Sequence, residues 1–122
     1  MPVPARLFVR VVIGTSAEEI LAFKCCRLPD MNLEVRLKNE GGDSVAVSSA
    51  MDFFGPAGSE RVENFFPFGL HTLGPGDLLS FFTGYDQEAF RRFERIGLTD
   101  RQGRRWEARI TGEWEEAELF PA

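Results

Sequence analysis

Polarity alternates with a period of two along four separate stretches of this chain, and that period leaves little freedom of fold class. In "LEVRLKN" (33–39), Leu33, Val35 and Leu37 share one side, while Glu34, Arg36 and Lys38 share the other. "LFVRVVI" (7–13) aligns Leu7, Val9, Val11 and Ile13, and "SVAVSSAMDF" (44–53) aligns Val45, Val47, Met51 and Phe53. "RWEARIT" (105–111) sets Trp106, Ala108 and Ile110 against Arg105, Glu107, Arg109 and Thr111. An extended chain projects successive side chains to opposite faces, so each run describes a strand with one buried side. Antiparallel sheets with one covered face carry this pattern, and a second sheet must supply the cover.

Glycine-containing turns separate the runs: "NEGGD" (39–43), "GPAG" (55–58), "LGPGD" (73–77) and "DRQG" (100–103). Short strands with turn signals at this spacing predict a sandwich or barrel. The expectation is an all-β, immunoglobulin-like antiparallel β-sandwich of about seven strands, whose last two strands form a 93–100 / 104–111 hairpin. Residues 1–112 are expected to form one domain, with 113–122 as an acidic tail. That tail either folds back along an arginine-rich face or frays. The chain's 122 residues suffice for one core without disulfide or metal support. Two segments depart from the pattern. "TSAEEILAFKCCRL" (15–28) begins with Ser16 and Glu19 at capping-box spacing, yet Leu21, Phe23 and Cys25 alternate, and a strand is preferred over a helix. "DQEAFRRF" (86–93) places Phe90 and Phe93 three apart behind Asp86, predicting one short helical turn near 86–92.

The succession "NLEVRLKNEGG", "LGPGDLLSFF", "LTDRQGRRWEARI" resembles bacterial immunoglobulin-like or fibronectin type III-like sandwich modules over roughly residues 30 to 112. The resemblance lies in its turn patterns. It departs from antibody domains, because no cysteine pair is spaced to bridge two sheets and Trp106 comes late. It implies a scaffold or recognition role and carries over no catalytic residue.

Chemistry-bearing constellations are sparse. Cys25 and Cys26 are the only cysteines. As strand neighbours they face opposite ways, which suits a buried thiol and a partly exposed one better than a shared metal. His71 is the only histidine and has no sequence partner. Glu40 and Asp43 fall in a turn too short for an established calcium loop. Glu60 with Glu63 and Glu115 with Glu116 lack a visible apolar pocket to shift their titration. No phosphate-loop or dinucleotide fingerprint occurs. No metal, cofactor or catalytic residue is therefore expected.

The charge balance is acidic, 19 carboxylates against 14 bases for a net charge of −5. Such a chain repels nucleic acid and anionic lipid unless its bases concentrate on one face. Seven arginines do crowd between Arg91 and Arg109, against three acids. Arg101, Arg104 and Arg105 sit at the expected hairpin turn, where solvated charge protects a strand tip. The one nearby aromatic, Trp106, falls on the inward side, so nothing stacks bases. Neither nucleic acid nor membrane is an expected partner. No apolar run approaches the ~18 residues of a membrane span, no signal peptide is visible, and the expected location is cytoplasmic.

Aromatic residues carry the partner signal. The 12 phenylalanines include three doublets: Phe53-Phe54, Phe65-Phe66 and Phe81-Phe82. One member of each must face away from the other, which leaves rings outside the core or beneath a covering loop. Phe54, Phe65, Phe66, Phe68 and Phe82 are the candidate partner-binding residues, for an unknown protein or a second copy in a homodimer. The leading expectation is a non-enzymatic binding or protein-protein interaction module. One alternative is a carbohydrate or small-ligand module with Phe65, Phe66, Phe68 and Tyr85 as a loop platform. A hydrolase built around His71 is the other.

Overall fold

Wherever the alternation is long, the backbone is extended and paired. The structure, a computed structural model, describes residues 4–13, 33–84 and 90–120. β1 (Leu7–Ile13) and β2 (Leu33–Asn39) run antiparallel from Leu7 opposite Asn39 to Ile13 opposite Leu33. β6 (Leu78–Thr83) pairs with the far side of β2, and the two-residue β9 (Glu115–Glu116) with the far side of β1. These four make the first sheet, in the order β6-β2-β1-β9. The second sheet is built on the 11-residue β3 (Val45–Gly55). β7 (Arg95–Asp100) runs along one side of β3, followed by β8 (Arg105–Arg109) and β10 (Glu118–Phe120). The other side of β3 is shared: β5 (Leu70–Leu73) takes its first half and β4 (Gly58–Val62) its second.

The two sheets pack as an all-β sandwich around one apolar layer. Leu7, Val9, Val11, Leu33, Val35, Leu37 and Phe81 enter from the first sheet. Val45, Val47, Met51, Phe53, Ile96, Leu98, Trp106 and Ala108 enter from the second. All but Phe81, Ile96 and Leu98 are the inward members of the alternating runs, and burying each large one contributes about 1.5–3 kcal/mol. Phe53 is the hub of an aromatic cluster. Its ring centroid lies 4.6 Å from that of Phe90, edge to face, with Phe93 at 6.0 Å and Phe65 at 6.2 Å.

One corner is set by a buried amide. Asn39 is fully buried at the end of β2. Its Oδ1 accepts from the amides of Gly41 (2.9 Å) and Arg6 (3.2 Å), and its Nδ2 donates to the carbonyls of Asp43 (2.8 Å) and Leu73 (3.0 Å). Its backbone bonds Asp77 and Gly76. The side chain thus ties together the start of β1, the 39–43 turn and the end of β5, and the backbone adds the 74–77 turn. Gly41 passes so close beneath Pro4–Arg6 that a Cβ there would collide with the Pro4 carbonyl and the Arg6 amide.

Four expectations need correction or fall elsewhere. Among the described residues ten strands form rather than about seven, because short β4, β5, β9 and β10 add to the long ones. Residues 113–120 are not a separate tail. Glu115 and Glu116 pair with β1, Ala117 is buried, and Glu118–Phe120 pair with β8, so the segment crosses from one sheet to the other. Arg6 grips Glu116 through two hydrogen bonds of 3.0 and 3.1 Å, which hold that carboxyl below its ordinary range. Most of the expected helical turn, 86–89, lies outside the described residues, as does the 15–28 segment with Cys25 and Cys26. The described remainder, Phe90–Phe93, is a turn closed by the Phe93 amide donating to the Phe90 carbonyl at 3.1 Å.

Replacing Asn39 by Ala removes four hydrogen bonds and strands buried groups of three segments. Urea unfolding should show a loss of about 2–4 kcal/mol with an unchanged slope.

Candidate interaction edge and arginine hairpin

Each phenylalanine doublet divides in the same way. Phe53, Phe65 and Phe81 are buried, and their successors Phe54, Phe66 and Phe82 are not. Phe65 is therefore a core residue, which removes it from the candidate contact surface. The remaining candidates do not share one place. Phe54 lies on the outer face of the second sheet, half covered by the Arg105 guanidinium 5.0 Å from its ring centroid. Phe66 and Phe82 are bridge partners on the side of β6 away from β2, joined by reciprocal amide–carbonyl bonds of 2.8 Å. Phe68 follows in the same loop. Phe66, Phe68 and Leu70 expose 53%, 65% and 53% of their surface, and Leu78 at the start of β6 exposes 67%. Phe66 and Phe68 lie in the loop beside half-buried Phe82, and Leu70 and Leu78 open β5 and β6, the strands on the side of the sandwich where the chain passes between the sheets.

The loop carrying those rings is held in place. Ser49 falls in the inward register between Val47 and Met51, where a hydroxyl must find a partner. Its amide donates to the Gly69 carbonyl (2.9 Å), and its Oγ accepts from the Gly69 amide (3.0 Å). The pairing of β3 with β7 shifts register over this stretch, between Val47 and Met51, so β3 bulges where the loop docks. His71 closes the other side. Its Nε2 lies 3.1 Å from the Pro67 carbonyl and 2.9 Å from that of Phe68, while its ring meets Phe81 edge to face at 5.5 Å. Two carbonyl neighbours assign the proton to Nε2. Among the described residues no serine or carboxylate side chain bonds this imidazole, and its contacts fasten the 67–68 backbone.

The arginine-rich hairpin separates into three roles. Asp100, with its side chain 1% exposed, organises the tip. Oδ1 accepts from the amides of Gln102 (2.9 Å) and Arg104 (2.8 Å), and Oδ2 from Arg104 Nε (2.8 Å) and Trp106 Nε1 (3.0 Å). Burial alone pushes this carboxyl up, but the Trp106 indole and the Arg104 amide and guanidinium outweigh it and hold the group below its ordinary value. Gly103 at φ 80° completes the turn. Arg105 lies flat on the sheet, with Nη1 3.1 Å from Asp52 and Nε 3.6 Å from Glu107. It fits there because the residue beneath is Gly97, where a Cβ would stand 2.5 Å from its Nη2. Its Nε is buried with no hydrogen-bond partner, a cost offset by the Asp52 pair and the Phe54 ring. Arg101, by contrast, is exposed, and its side chain has no bond among the described residues. Only its amide is fixed, donating to the Ala46 carbonyl at 2.8 Å.

Sequence reasoning missed Ser49, Gly97 and Asp100, although each had a signal. A serine in an inward register, a glycine interrupting a strand and an aspartate opening a turn all ask for a partner. The expected glycan platform is reduced to Phe66 and Phe68, since Phe65 is buried and Tyr85 lies outside the described residues. Among the described residues no three of His, Cys, Asp and Glu converge to hold a metal ion, and no helix is long and apolar enough to cross a membrane. No family model, curated protein or solved structure matches this chain.

The low titration of Asp100 makes the hairpin sensitive to acid. Its contribution is complete above the unfolded carboxyl value of about 4 and is lost as pH falls through the lower, folded one. Asp100→Asn turns an amide donor toward Arg104 or Trp106 and should cost at least ~2 kcal/mol at pH 7. Urea unfolding of both proteins from neutral pH downward should show that difference shrinking as the wild-type carboxyl protonates.

Proposed function

We propose that this protein is a non-enzymatic interaction module whose working surface is the lateral edge of Phe66, Phe68, Leu70, Leu78 and Phe82, and that its partner is a second copy of the chain. In this reading the sandwich is a recognition scaffold of the immunoglobulin-like kind, acting in the cytoplasm.

The observation that carries the reading is three large apolar side chains exposed within five residues, on a loop fixed by Ser49, His71 and the Phe66–Phe82 bridge. Apolar surface left in water forgoes ~25 cal/mol per Å², and clustered exposure of this sort marks contact surfaces. Rigidity supports the same reading, because a preformed loop loses little conformational freedom on association.

The geometry of β6 favours a like partner. Among the described residues it ends its sheet, and beyond it only Phe66 pairs, at Phe82. Backbone groups of alternate residues point to the same edge, so Ser80 and Leu78 direct amides and carbonyls outward alongside Phe82. An open antiparallel edge is self-complementary about a two-fold axis, the commonest symmetry of protein pairs.

Phe66→Ser combined with Phe68→Ser tests this by sedimentation velocity across a concentration series. The wild-type chain should sediment faster as concentration rises. The double variant should remain monomeric with an unchanged unfolding midpoint, since neither ring is in the core. A wild-type chain that stays monomeric throughout would refute the self-pairing.

A further inference from the structure

We infer that the hairpin tip is a binding site for a phosphate-sized oxyanion, built from Arg101 and Arg104 with the side chains of Ser44, Thr72 and Gln102. These residues line a cleft of about 210 Å³ between the start of β3, the outer side of β5 and the 100–104 turn. The cleft is distinct from the apolar edge and does not depend on self-association.

What singles it out is that two arginines share one cleft, whereas the clefts bordered by Arg91 and by Arg92 hold one each and most other guanidinium groups are paired. Arg6 is bound to Glu116, Arg36 to Glu34, and Arg61 to Asp52 and Glu63. Arg95 faces Glu107, and Arg105 lies between Asp52 and Glu107. Arg92 also borders a cleft, but that one includes the Glu60 carboxylate. The tip cleft has one carboxylate, Asp100, and both of its oxygens are already saturated by four donors.

Arg104 is preset for the task. Nε is fixed to Asp100 at 2.8 Å, and the guanidinium carbon lies 5.7 Å from the Trp106 ring centroid. That arrangement fixes the plane of the group and leaves its two Nη nitrogens without a bond among the described residues. A guanidinium edge with two parallel donors matches an oxyanion. Arg101 adds a second charge from the same rigid turn, whose amide is tied to Ala46. The Ser44 and Thr72 hydroxyls and the side-chain amide of Gln102 are also unbonded among the described residues. In a chain of net charge −5, an anion reaches these two cations against an otherwise repelling field. The exposed carboxylate of Asp43, next to Ser44, opposes binding and sets its strength.

The test is a two-dimensional amide NMR titration of the full chain with inorganic phosphate, at ionic strength held constant with chloride. A parallel titration with glutarate separates phosphate from carboxylate recognition. Amides of Ser44, Thr72 and 101–104 should shift together and saturate. Arg101→Ala, which touches no fold contact, should weaken binding by about five-fold or more, and Asp43→Asn should tighten it. Arg104→Lys keeps the charge but loses the fork, and should weaken binding while the spectrum stays folded. Saturation by phosphate alone identifies a phosphate ester as the ligand class, and saturation by both a general oxyanion. Shifts that never saturate, that spread equally to Arg91, Arg92 and Arg109, or that survive Arg101→Ala would overturn the site.

Discussion

Two successive side chains of an extended backbone leave on opposite sides, and in this chain that geometry decides the fate of every phenylalanine doublet. Phe53, Phe65 and Phe81 go into the space between the sheets, where Phe53 touches Phe65, Phe90 and Phe93. Their successors are then turned outward. Each finds a different surrounding: Phe54 beneath a guanidinium, Phe82 on the outer face of an edge strand, Phe66 beside it in water. The apolar edge follows directly from filling the core with doublets, because no register could bury both rings of one pair.

Polar side chains in the interior complete the arrangement. Asn39, Ser49 and Asp100 are all buried, and each bonds backbone of a neighbouring turn or loop. A buried polar group without a partner costs more than a satisfied one contributes. These residues therefore act as fixed points, and the segments they fix are the ones proposed to bind: the 66–70 loop through Ser49, and the arginine tip through Asp100. Charge on the outer face of the second sheet is ordered by a smaller device. Gly97 leaves a slot, Arg105 lies in it, and Asp52 and Glu107 flank it.

The long strands were legible because their period is strong over five to seven residues. "LEVRLKN" is β2 to the residue, and the 95–100 / 105–109 hairpin has its turn where "DRQG" places it. Polarity could not reveal β9 and β10, since two or three residues carry no period and "EWEEAELF" reads as charge. Their pairing comes from long-range contacts: the Ala117 amide on Leu7, Arg6 on Glu116 and Leu119 opposite Trp106. The same holds for the site. That a doublet must split was readable; which ring of Phe65-Phe66 enters was not, because Phe65 precedes a loop with no alternating frame around it. The arginine cluster was readable as a cluster only. Its division into a flattened Arg105, an oriented Arg104 and a free Arg101 depends on Gly97, Asp100 and Ala46, all brought there by tertiary pairing.

The division of inner and outer rings can be measured directly by fluorine NMR on protein labelled with 4-fluorophenylalanine, in the presence of a soluble paramagnetic agent. At concentrations below self-association, Phe66 and Phe68 should relax strongly, and Phe53, Phe65 and Phe81 should be shielded. A Phe65 signal as accessible as that of Phe66 would contradict the account, since the loop would then not be anchored in the core and the exposed edge would have no fixed form.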